Sequence, residues 1–430
     1  MNNKEELRTM LPVSQAEATI LDLVKPLDKQ RDAEFVSLLI AIERILAAPA
    51  IGHLDFPHWD NSAMDGYAVR YEDVQYASSQ QPVVLEIVDE IPAGRSPQQL
   101  IKAGQAARIF TGAVMPEGAD TVVMQEQTQR EGDRVTILTA PQPQAFVRHQ
   151  ASYYQAGKTL LAPGTMLRAA QIAVLAAAQC NQLKVYRRPR VAIISTGDEL
   201  VHPETPLEIG QLVDSNQYAL TALVTQTGAE PIPMGIVPDR PLVLQKAFSK
   251  AIATADVVLS SGGVSVGDYD YVEEILTALG AEMHVRAVAM KPGKPLTVAK
   301  FSPAHATERK PVLYFGLPGN PVSALVCFWR FVQPALRKLS GLADNWGPVY
   351  VKARSRQDLS SDGKRETYIW GQLHLIDGYF EFQPASGSLN SGNLINFAQA
   401  NGLAIIPVGQ TAVASGDEVR VLQFGFPIMS

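Results

Sequence analysis

The chain has only two cysteines, Cys180 and Cys327, and no Cys-x-x-Cys pair. Two widely separated thiols exclude a disulfide framework and a cysteine-based zinc site. The seven histidines form no His-x-x-His or His-Glu-x-x-His pair, which argues against a histidine-based metal centre. This low cysteine content is typical of a protein from a reducing compartment.

Long hydrophobic runs and an excess of positive charge are also missing. No run reaches the roughly 18 apolar residues of a membrane span, and the N-terminal MNNKEELRTM lacks the basic segment and apolar core of a signal peptide. A net charge of −6 and a pI near 5.7 provide no general attraction to nucleic acid or to an anionic membrane. We therefore expect a cytoplasmic protein without nucleic-acid or membrane partners, in which anionic ligands meet local positive side chains.

The remaining composition is that of a large globular protein with several domains. The 430 residues, 46% of them apolar and 19% charged, predict two to four domains. Apolar spacings of three and four predict helices at residues 16–27, 33–48 and 167–180. Between them, short apolar runs separated by Pro and Gly predict a mostly antiparallel β module. We expect a discontinuous helical domain, formed by residues 1–49 and 152–180, around an inserted β module at residues 50–151.

The second half of the chain predicts two further domains. Between residues 188 and 340, β and α patterns alternate, which predicts a central doubly wound, mostly parallel sheet in an α/β domain at residues 181–341. Ligands of such sheets bind at the carboxyl ends of the strands. Short strands with Gly-rich turns then predict a C-terminal β-barrel-like domain, or a sandwich, at residues 342–430. The predicted fold class is therefore α/β plus β, in several domains.

Five polar or glycine-rich segments follow the predicted strands of the central sheet: STGDE, GIVPD, SGGVSVGDYD, MKPGKP and GLPGNPVS. In the third, Gly262, Gly263 and Gly267 let backbone N–H groups approach a bound group closely, and Asp268 and Asp270 suit a hard cation. The helical pattern after it directs the positive end of its dipole to the same place. Alone, such a segment is more often an ordinary strand-to-helix turn, and it is the other four segments that favour a site.

The other segments add charge and hydroxyl groups to the same predicted rim. Asp198 and Glu199 follow a strand directly, although they also fit a polar helix cap. Lys291 and Lys294 suit an oxyanion with two negative charges, although KPGKP also fits a solvated turn. Ser323 lies in the first turn of a helix that begins at Pro321, where free N–H groups meet anions; it is also simply a good helix start.

One segment of the β module stands out, DNSAMDGYAVR at residues 60–70. Asp60 and Asp65 flank a tight polar turn that leads into a short apolar strand. By itself the segment is typical of a surface loop. A site built there must meet the rim of the α/β domain across a domain or subunit boundary.

Together, DNSAMDGYAVR, FTGAVMPEGADTVVMQE, STGDEL, SSGGVSVGDYDY, MKPGKP and GLPGNPVSAL closely resemble the molybdopterin molybdenumtransferase family, which includes the MoeA proteins and the gephyrin E domain. The resemblance runs from about residue 10 to the C-terminus. It implies insertion of molybdate into adenylylated molybdopterin with release of AMP, and a divalent cation, usually Mg2+. It also implies a molybdopterin-binding α/β domain and a homodimer of four-domain chains, whose site lies between the α/β domain of one subunit and the β module of the other. Molybdopterin adenylyltransferase and molybdoenzyme-maturation proteins are the partners it suggests.

The resemblance assigns roles to residues that match the family's motifs. Two residues, Asp270 and Glu199, are expected to hold the metal. The catalytic positions are expected at Asp65, Thr111, Glu199, Asp239 and Asp270. Substrate is expected to bind at Gly262, Gly263, Ser265, Lys291, Lys294, Pro295 and Ser323, with molybdate also contacting Arg365 and Ser391.

Three departures from the family pattern leave two other functions open. Ala151, Ser152 and Tyr153 stand where the family has Gly-Glu-Asp, Ala287 replaces a frequent basic residue, and Trp370 replaces a second arginine. One alternative is a catalytically weak relative that binds the cofactor as a scaffold. The other is the adenylyltransferase step, because the isolated α/β domain resembles that enzyme too.

Overall fold

The structure is a computed structural model that describes residues 10–262, 271–302 and 310–429. In this part of the chain, no helix is long and apolar enough to cross a membrane. The segments form several sheets, of which three carry the architecture. These are the sheet of the β module, the central sheet and a C-terminal barrel.

The N-terminal region contains one of the two predicted helices. Helix α1 spans Val13–Leu23 and buries Val13, Ala16 and Ile20, which recur at three and four. The predicted helix at residues 33–48 is wrong, because strand β1, Ala33–Ser37, and a single 3-10 turn replace it. This strand pairs antiparallel with residues 182–186, so its backbone hydrogen bonds run between segments far apart in sequence. Strand β2 follows at Ala50–Ile51.

The β module has a six-stranded sheet. All neighbouring strands are antiparallel except β5 and β6, in agreement with the prediction. The strand order in the sheet is β7-β4-β6-β5-β9-β8. The elements are β3 (Asn61–Ser62), β4 (Gly66–Val69), helix α2 (Tyr71–Val74), β5 (Val83–Ile91), β6 (Gln105–Ile109), β7 (Thr121–Met124), β8 (Thr128–Glu131), β9 (Arg134–Ile137) and β10 (Val147–Arg148).

After the module the chain returns to the N-terminal region. The elements are β11 (Thr159–Leu161), helix α3 (Ala169–Ala177) and β12 (Gln182–Tyr186). Strand β11 pairs with β2, and β12 pairs with β1. The chain therefore enters and leaves the module through paired strands, while the domain boundaries given above stay a prediction.

The central sheet has six strands in the order β16-β13-β17-β21-β20-β18. The first four are parallel, and β20 and β18 are antiparallel to their neighbours. Along β13, Val191 and Ile193 enter one apolar core, while Ala192 and Ile194 enter another on the opposite face. Helices cover both faces because both faces are apolar. The elements are β13 (Arg190–Thr196), β14 (Leu200–Val201), β15 (Leu212–Val213), α4 (Asn216–Gln226), β16 (Glu230–Val237), α5 (Pro241–Thr254), β17 (Val257–Ser261), α6 (Tyr271–Ala278), β18 (Ala281–Val285), β19 (Met290–Lys291), β20 (Thr297–Phe301), β21 (Val312–Leu317), α7 (Pro321–Cys327), a π-helical segment (Phe328–Val332) and α8 (Gln333–Leu339).

The C-terminal region forms a closed barrel of five strands. The ring runs β22-β25-β24-β26-β28 and back to β22, so these strands have no free edge. The short strand β19 adds to β24 from outside and attaches the barrel to the α/β region. The elements are β22 (Val349–Ser355), β23 (Leu359–Ser360), β24 (Glu366–Ile376), β25 (Tyr379–Pro384), β26 (Gly402–Ile406), β27 (Ala412–Val413), β28 (Glu418–Gln423) and β29 (Ile428–Met429).

Candidate functional site

The carboxyl edge of the central sheet brings four of the five predicted segments together. The backbone N–H of Asp239, after β16, donates to Asp198 Oδ1, after β13, at 3.2 Å. Asn216 Nδ2 donates to Ser261 Oγ, at the end of β17, and to the carbonyl of Gly319, after β21, at 2.8 Å. The strand-end segments are therefore direct neighbours, as parallel strands require.

Gly262 shows how closely these segments approach. Its φ is +91°, in the left-handed region, and an added Cβ would lie 2.3 Å from the carbonyl oxygen of Thr196. Only glycine fits this position without moving the backbone. Gly263, Ser265 and Asp270 lie outside the described residues, so their predicted roles stay predictions.

The KPGKP segment lies at the same edge, between two strands of the central sheet. It lies between β18, a central-sheet strand that ends at Val285, and β20, and residues 290–291 within this connection form β19, which pairs with the barrel strand β24. It precedes β20, which runs antiparallel and begins with Thr297 opposite Gly316, near the carboxyl end of β21. The start of an antiparallel strand lies at the same edge as the ends of its parallel neighbours.

Three acids form the negative side of the rim: Asp198, Glu199 and Asp239. Partial burial raises the pKa of Asp239, and the nearby carboxylates of Asp198 and Glu199 raise it further. Within the described ranges, no three His, Cys, Asp or Glu side chains are arranged as a metal site. The acids nevertheless suit Mg2+ chemically, because this ion binds through one or two carboxylates and keeps several waters.

Three charged side chains form the positive side of the rim. Lys291 Nζ and Arg365 Nη2 lie 3.6 and 3.5 Å from the same atom, Asp362 Oδ2. Lys294 is exposed, and it makes no ion pair with any residue that the structure describes. Pro295 lies beside it in the same loop. The barrel and the loop before β20 therefore supply the cations jointly.

Ser323 and Ser391 belong to two segments that contact each other at this boundary. The backbone N–H of Val322 donates to the carbonyl of Ser391 at 3.0 Å, so the barrel segment around Ser391 contacts the first turn of α7. Ser323, also in that turn, is 4% exposed. Predicted residues from two domains are thus adjacent.

The rim also contains polar residues that the sequence reasoning missed. Asn216 and Asp214 are buried, and Gln217 donates to both carboxylate oxygens of Asp214. Asn216 Oδ1 and Thr196 Oγ1 are buried without a hydrogen-bond partner among the described residues. The sequence signal that could have identified these residues is an Asp and an Asn at the predicted start of a helix. Asp362 was missed too, although it precedes a glycine in a polar turn.

Asp65 and Thr111 form a pair inside the β module. Asp65 Oδ1 accepts hydrogen bonds from the Thr111 backbone N–H at 2.7 Å and from its hydroxyl at 2.8 Å. Both hydrogen bonds lower the pKa of Asp65, and the bond from the backbone N–H has the larger effect. Across the described ranges, no hydrogen bond or ion pair joins this pair to the rim.

Comparison with known proteins covers nearly the whole chain. Family models for the MoeA N-terminal region (domain I and II), a probable molybdopterin binding domain and the MoeA C-terminal region (domain IV) match residues 11–178, 192–338 and 352–424. A molybdopterin molybdenumtransferase of Nostoc sp. is 64% identical over 404 residues, which cover 94% of this chain and 92% of that protein. The chain belongs to the molybdopterin molybdenumtransferase family.

Other family members agree with this assignment. The Haemophilus influenzae molybdopterin molybdenumtransferase is 34% identical over 96% of this chain and 99% of its own length. The crystal structure of a molybdopterin biosynthesis MoeA protein from Pyrococcus horikoshii matches with a TM-score of 0.81 and 29% identity, over 97% of this chain and 100% of that one. The predicted multidomain fold is confirmed.

The structure places the three departures from the family pattern in different surroundings. Tyr153 belongs to an exposed row of aromatic rings. Its ring centre lies 6.0 Å from that of Phe56, and the row continues from Phe56 through His58 to Trp59. Trp370 is buried, its Nε1 donates to Asn396, and its ring packs in the large apolar core that the barrel shares with the central sheet and its helices, so it does not line the rim.

The third departure, Ala287, is not replaced by its neighbour. Arg286 pairs with Glu273 on α6 at 2.7 Å and so faces that helix. The carbonyl of Ala287 accepts a backbone hydrogen bond from Leu11. This position therefore attaches the N-terminal segment and supplies no charge.

Proposed function

We propose that this chain inserts molybdenum from molybdate into adenylylated molybdopterin and releases AMP. The main observation behind the proposal is that one rim has an acidic side and a cationic side. The residues of this rim lie in the segment matched by the molybdopterin binding domain and in the barrel. Full-length relatives named molybdopterin molybdenumtransferase support it. They do not favour the scaffold or the adenylyltransferase alternative.

The cationic side binds the molybdate. Lys291 and Arg365 come from different domains and lie beside one carboxylate, so their charges converge on one volume. A tetrahedral dianion is held well by a lysine, an arginine and hydroxyl groups. Lys294, Ser323 and Ser391 complete this set, and Pro295 stiffens the loop that carries the lysines.

The acidic side holds Mg2+ near the phosphates of the adenylylated substrate. Among the residues that the structure describes, we assign Glu199 as the ligand of the ion, with Asp239 and Asp198 beside it. The family resemblance implies Asp270 as a further ligand. When bound, the ion neutralises charge as the phosphoanhydride bond breaks. The chain's own contribution is positioning, because the rim presents charged and hydroxyl groups in fixed places.

The complete site needs a second copy of the chain. Asp65 and Thr111 lie in the β module, where no hydrogen bond or ion pair among the described residues joins them to the rim of their own chain, and the partner's module supplies them. Support for a homodimer comes from an exposed apolar surface around β1, where Leu39 is 93% exposed and Phe35, Ile40 and Ile42 are also exposed. The dimer acts in the cytoplasm, receives substrate from molybdopterin adenylyltransferase and passes the product to molybdoenzyme-maturation proteins.

The test is AMP release by the purified chain from adenylylated molybdopterin, with molybdate and Mg2+ present. We expect release that depends on molybdate and falls strongly in Lys291→Ala. Tight pterin binding without AMP release favours the scaffold, and consumption of ATP favours the adenylyltransferase.

A mixing experiment tests the shared site. Asp65→Asn and Lys291→Ala each damage a different half of the same site, so mixed dimers regain one native site. Random exchange of equal amounts makes half of the dimers mixed, with one native site in two, and so restores about a quarter of native activity. Activity that stays at the level of the single variants contradicts a site shared between subunits.

A further inference from the structure

Asp362 lies between the two cations that are proposed to bind the oxyanion. Lys291 Nζ is 3.6 Å and Arg365 Nη2 is 3.5 Å from Asp362 Oδ2. Among the described residues, it is the one acid within ion-pair distance of either cation. The family resemblance assigns this residue no role, and its carboxylate lies where a bound oxyanion is expected to place its own negative charge.

We propose that Asp362 competes with the incoming oxyanion for Lys291 and Arg365, so that the site binds oxyanions more weakly and releases them faster than its cations alone would. This inference rests on the proposed function, because it assumes that these two cations form the oxyanion site. It assigns Asp362 a positioning role with no direct part in the chemistry.

The geometry of Asp362 fits a competitor better than a permanent partner of the cations. Its other oxygen, Oδ1, accepts the backbone N–H of Lys364 at 2.9 Å, so its own turn holds the carboxylate. This hydrogen bond, and then the charges of Lys291 and Arg365, lower the pKa of Asp362, so it is ionised at neutral pH. Both cation distances are longer than the roughly 2.7–2.9 Å of a strong charged hydrogen bond. The cations are thus attracted to Asp362 but not tightly bound by it.

The exposure of the three side chains allows an exchange of partners. The side chains of Lys291, Arg365 and Asp362 are 50%, 26% and 33% exposed. An oxyanion can therefore reach both cations from solvent and form shorter hydrogen bonds than the carboxylate does. With Asp362 in place, Lys291, Lys294 and Arg365 offer a net charge of +2 to a dianion, and without it the net charge is +3.

The test compares oxyanion binding by the native chain and by Asp362→Asn, measured by calorimetry with sodium molybdate alone and with sodium sulfate alone. Asparagine keeps the acceptor for the Lys364 N–H and removes the charge. We expect the Kd for both oxyanions to fall about two- to fivefold, since an exposed ion pair contributes at most about a factor of five. The gain is expected to shrink as salt rises, because screening weakens exposed charges. In the AMP-release assay, KM for molybdate falls while kcat is unchanged.

The matched control is Glu418→Gln, which removes a carboxylate paired with Lys352 at 2.8 Å elsewhere on the barrel and is expected to change nothing. Asp362→Ser provides a second variant if Asp362→Asn does not fold. Weaker or unchanged binding in a folded Asp362 variant overturns the inference while the oxyanion site stands. If the native chain shows no molybdate binding that Lys291→Ala removes, the proposed site itself is wrong, and the inference falls with it.

Discussion

Arg330 and Arg365 each face a carboxylate, one in the interior and one at the rim. Arg330 is 6% exposed and pairs with both oxygens of Glu17 on α1, at 2.6 and 2.7 Å, while its Nε donates to the hydroxyl of Tyr368. The side chain of Arg365 is 26% exposed and meets Asp362 only at 3.5 Å. The first arginine connects three regions of the chain. The second keeps donors available for a ligand.

This difference shows how one residue type serves stability and function in the same protein. A buried ion pair cannot lose one partner without leaving an unpaired charge out of water. An exposed pair contributes little to stability and exchanges its partner easily. Variants at the two clusters are therefore expected to affect different measurements.

The largest effect is expected for Arg330→Met. It leaves Glu17 without its partner and is expected to destabilise the chain by about 3 kcal/mol or more. The shift of the urea unfolding midpoint measures this loss, and Arg330→Lys, which keeps the charge, is expected to lose less. Molybdate binding below the unfolding transition is expected to stay. A loss of binding without loss of stability contradicts the division between the clusters.

The next effect is expected for Lys291→Ala. Removal of a cation that meets the developing charge is expected to lower kcat/KM about 100-fold, or ~2.7 kcal/mol, with little change in Tm. The AMP-release assay and a thermal melt on the same sample measure both quantities. Lys352→Ala, which removes an exposed lysine elsewhere on the barrel, is the matched control and is expected to retain activity.

A substitution at Gly293 tests whether the exposed cluster at Lys291 depends on close packing of the neighbouring backbone against buried side chains. Its φ is +110°, and an added Cβ would lie 2.7 Å from Cys327 Sγ. We expect Gly293→Ala to cost about 1–3 kcal/mol and to raise KM for molybdate, since the loop carrying Lys291 must move. Gly409→Ala is the control, because φ there is +90° with no atom within 4 Å of the added Cβ. Equal losses of stability in the two variants indicate backbone strain alone.

The smallest effect is expected for the stability of Asp239→Asn. The pKa of Asp239 is raised by burial and then by Asp198 and Glu199, so its negative charge destabilises the folded state above that pKa. This cost disappears as pH falls through the raised pKa towards the ordinary Asp value of about 3.9. We therefore expect Asp239→Asn to raise Tm by about 1 °C at pH 7 and not at pH 4. A lower Tm at pH 7 indicates that the carboxylate has a stabilising partner.

Much of the central sheet could be predicted from the sequence, because its strands are buried on both faces and read as continuous apolar runs. β13, β17 and β21 are of this kind, and glycines or helix starts mark their ends. The segment at residues 33–48 misled because apolar residues at helical spacing do not reveal whether their face will be buried. There Leu39 and Ile40 stay exposed, and pairing with β12 decides the strand.

The candidate site divides in the same way. Lys291, Ser323 and Glu199 belong to segments with recognisable patterns that follow predicted strands, so their place at one rim could be expected. The adjacency of Lys291 to Arg365 and Asp362 could not, because it depends on β19 leaving the central sheet to pair with the barrel. No local sequence pattern reveals that pairing, because it places Lys291 opposite Thr367, more than 70 positions further along the chain.

The sequence by itself determined which chemical groups are present, which segments form the central sheet and which loops carry glycine, acid and lysine. These properties depend on local periodicity and residue type, which neighbours in the chain decide. Only the tertiary structure decided that β19 pairs with the barrel, that Arg330 is buried and that Asp362 lies beside both Lys291 and Arg365. Those facts depend on burial and on pairing between distant segments, whose free energy is a property of the whole fold.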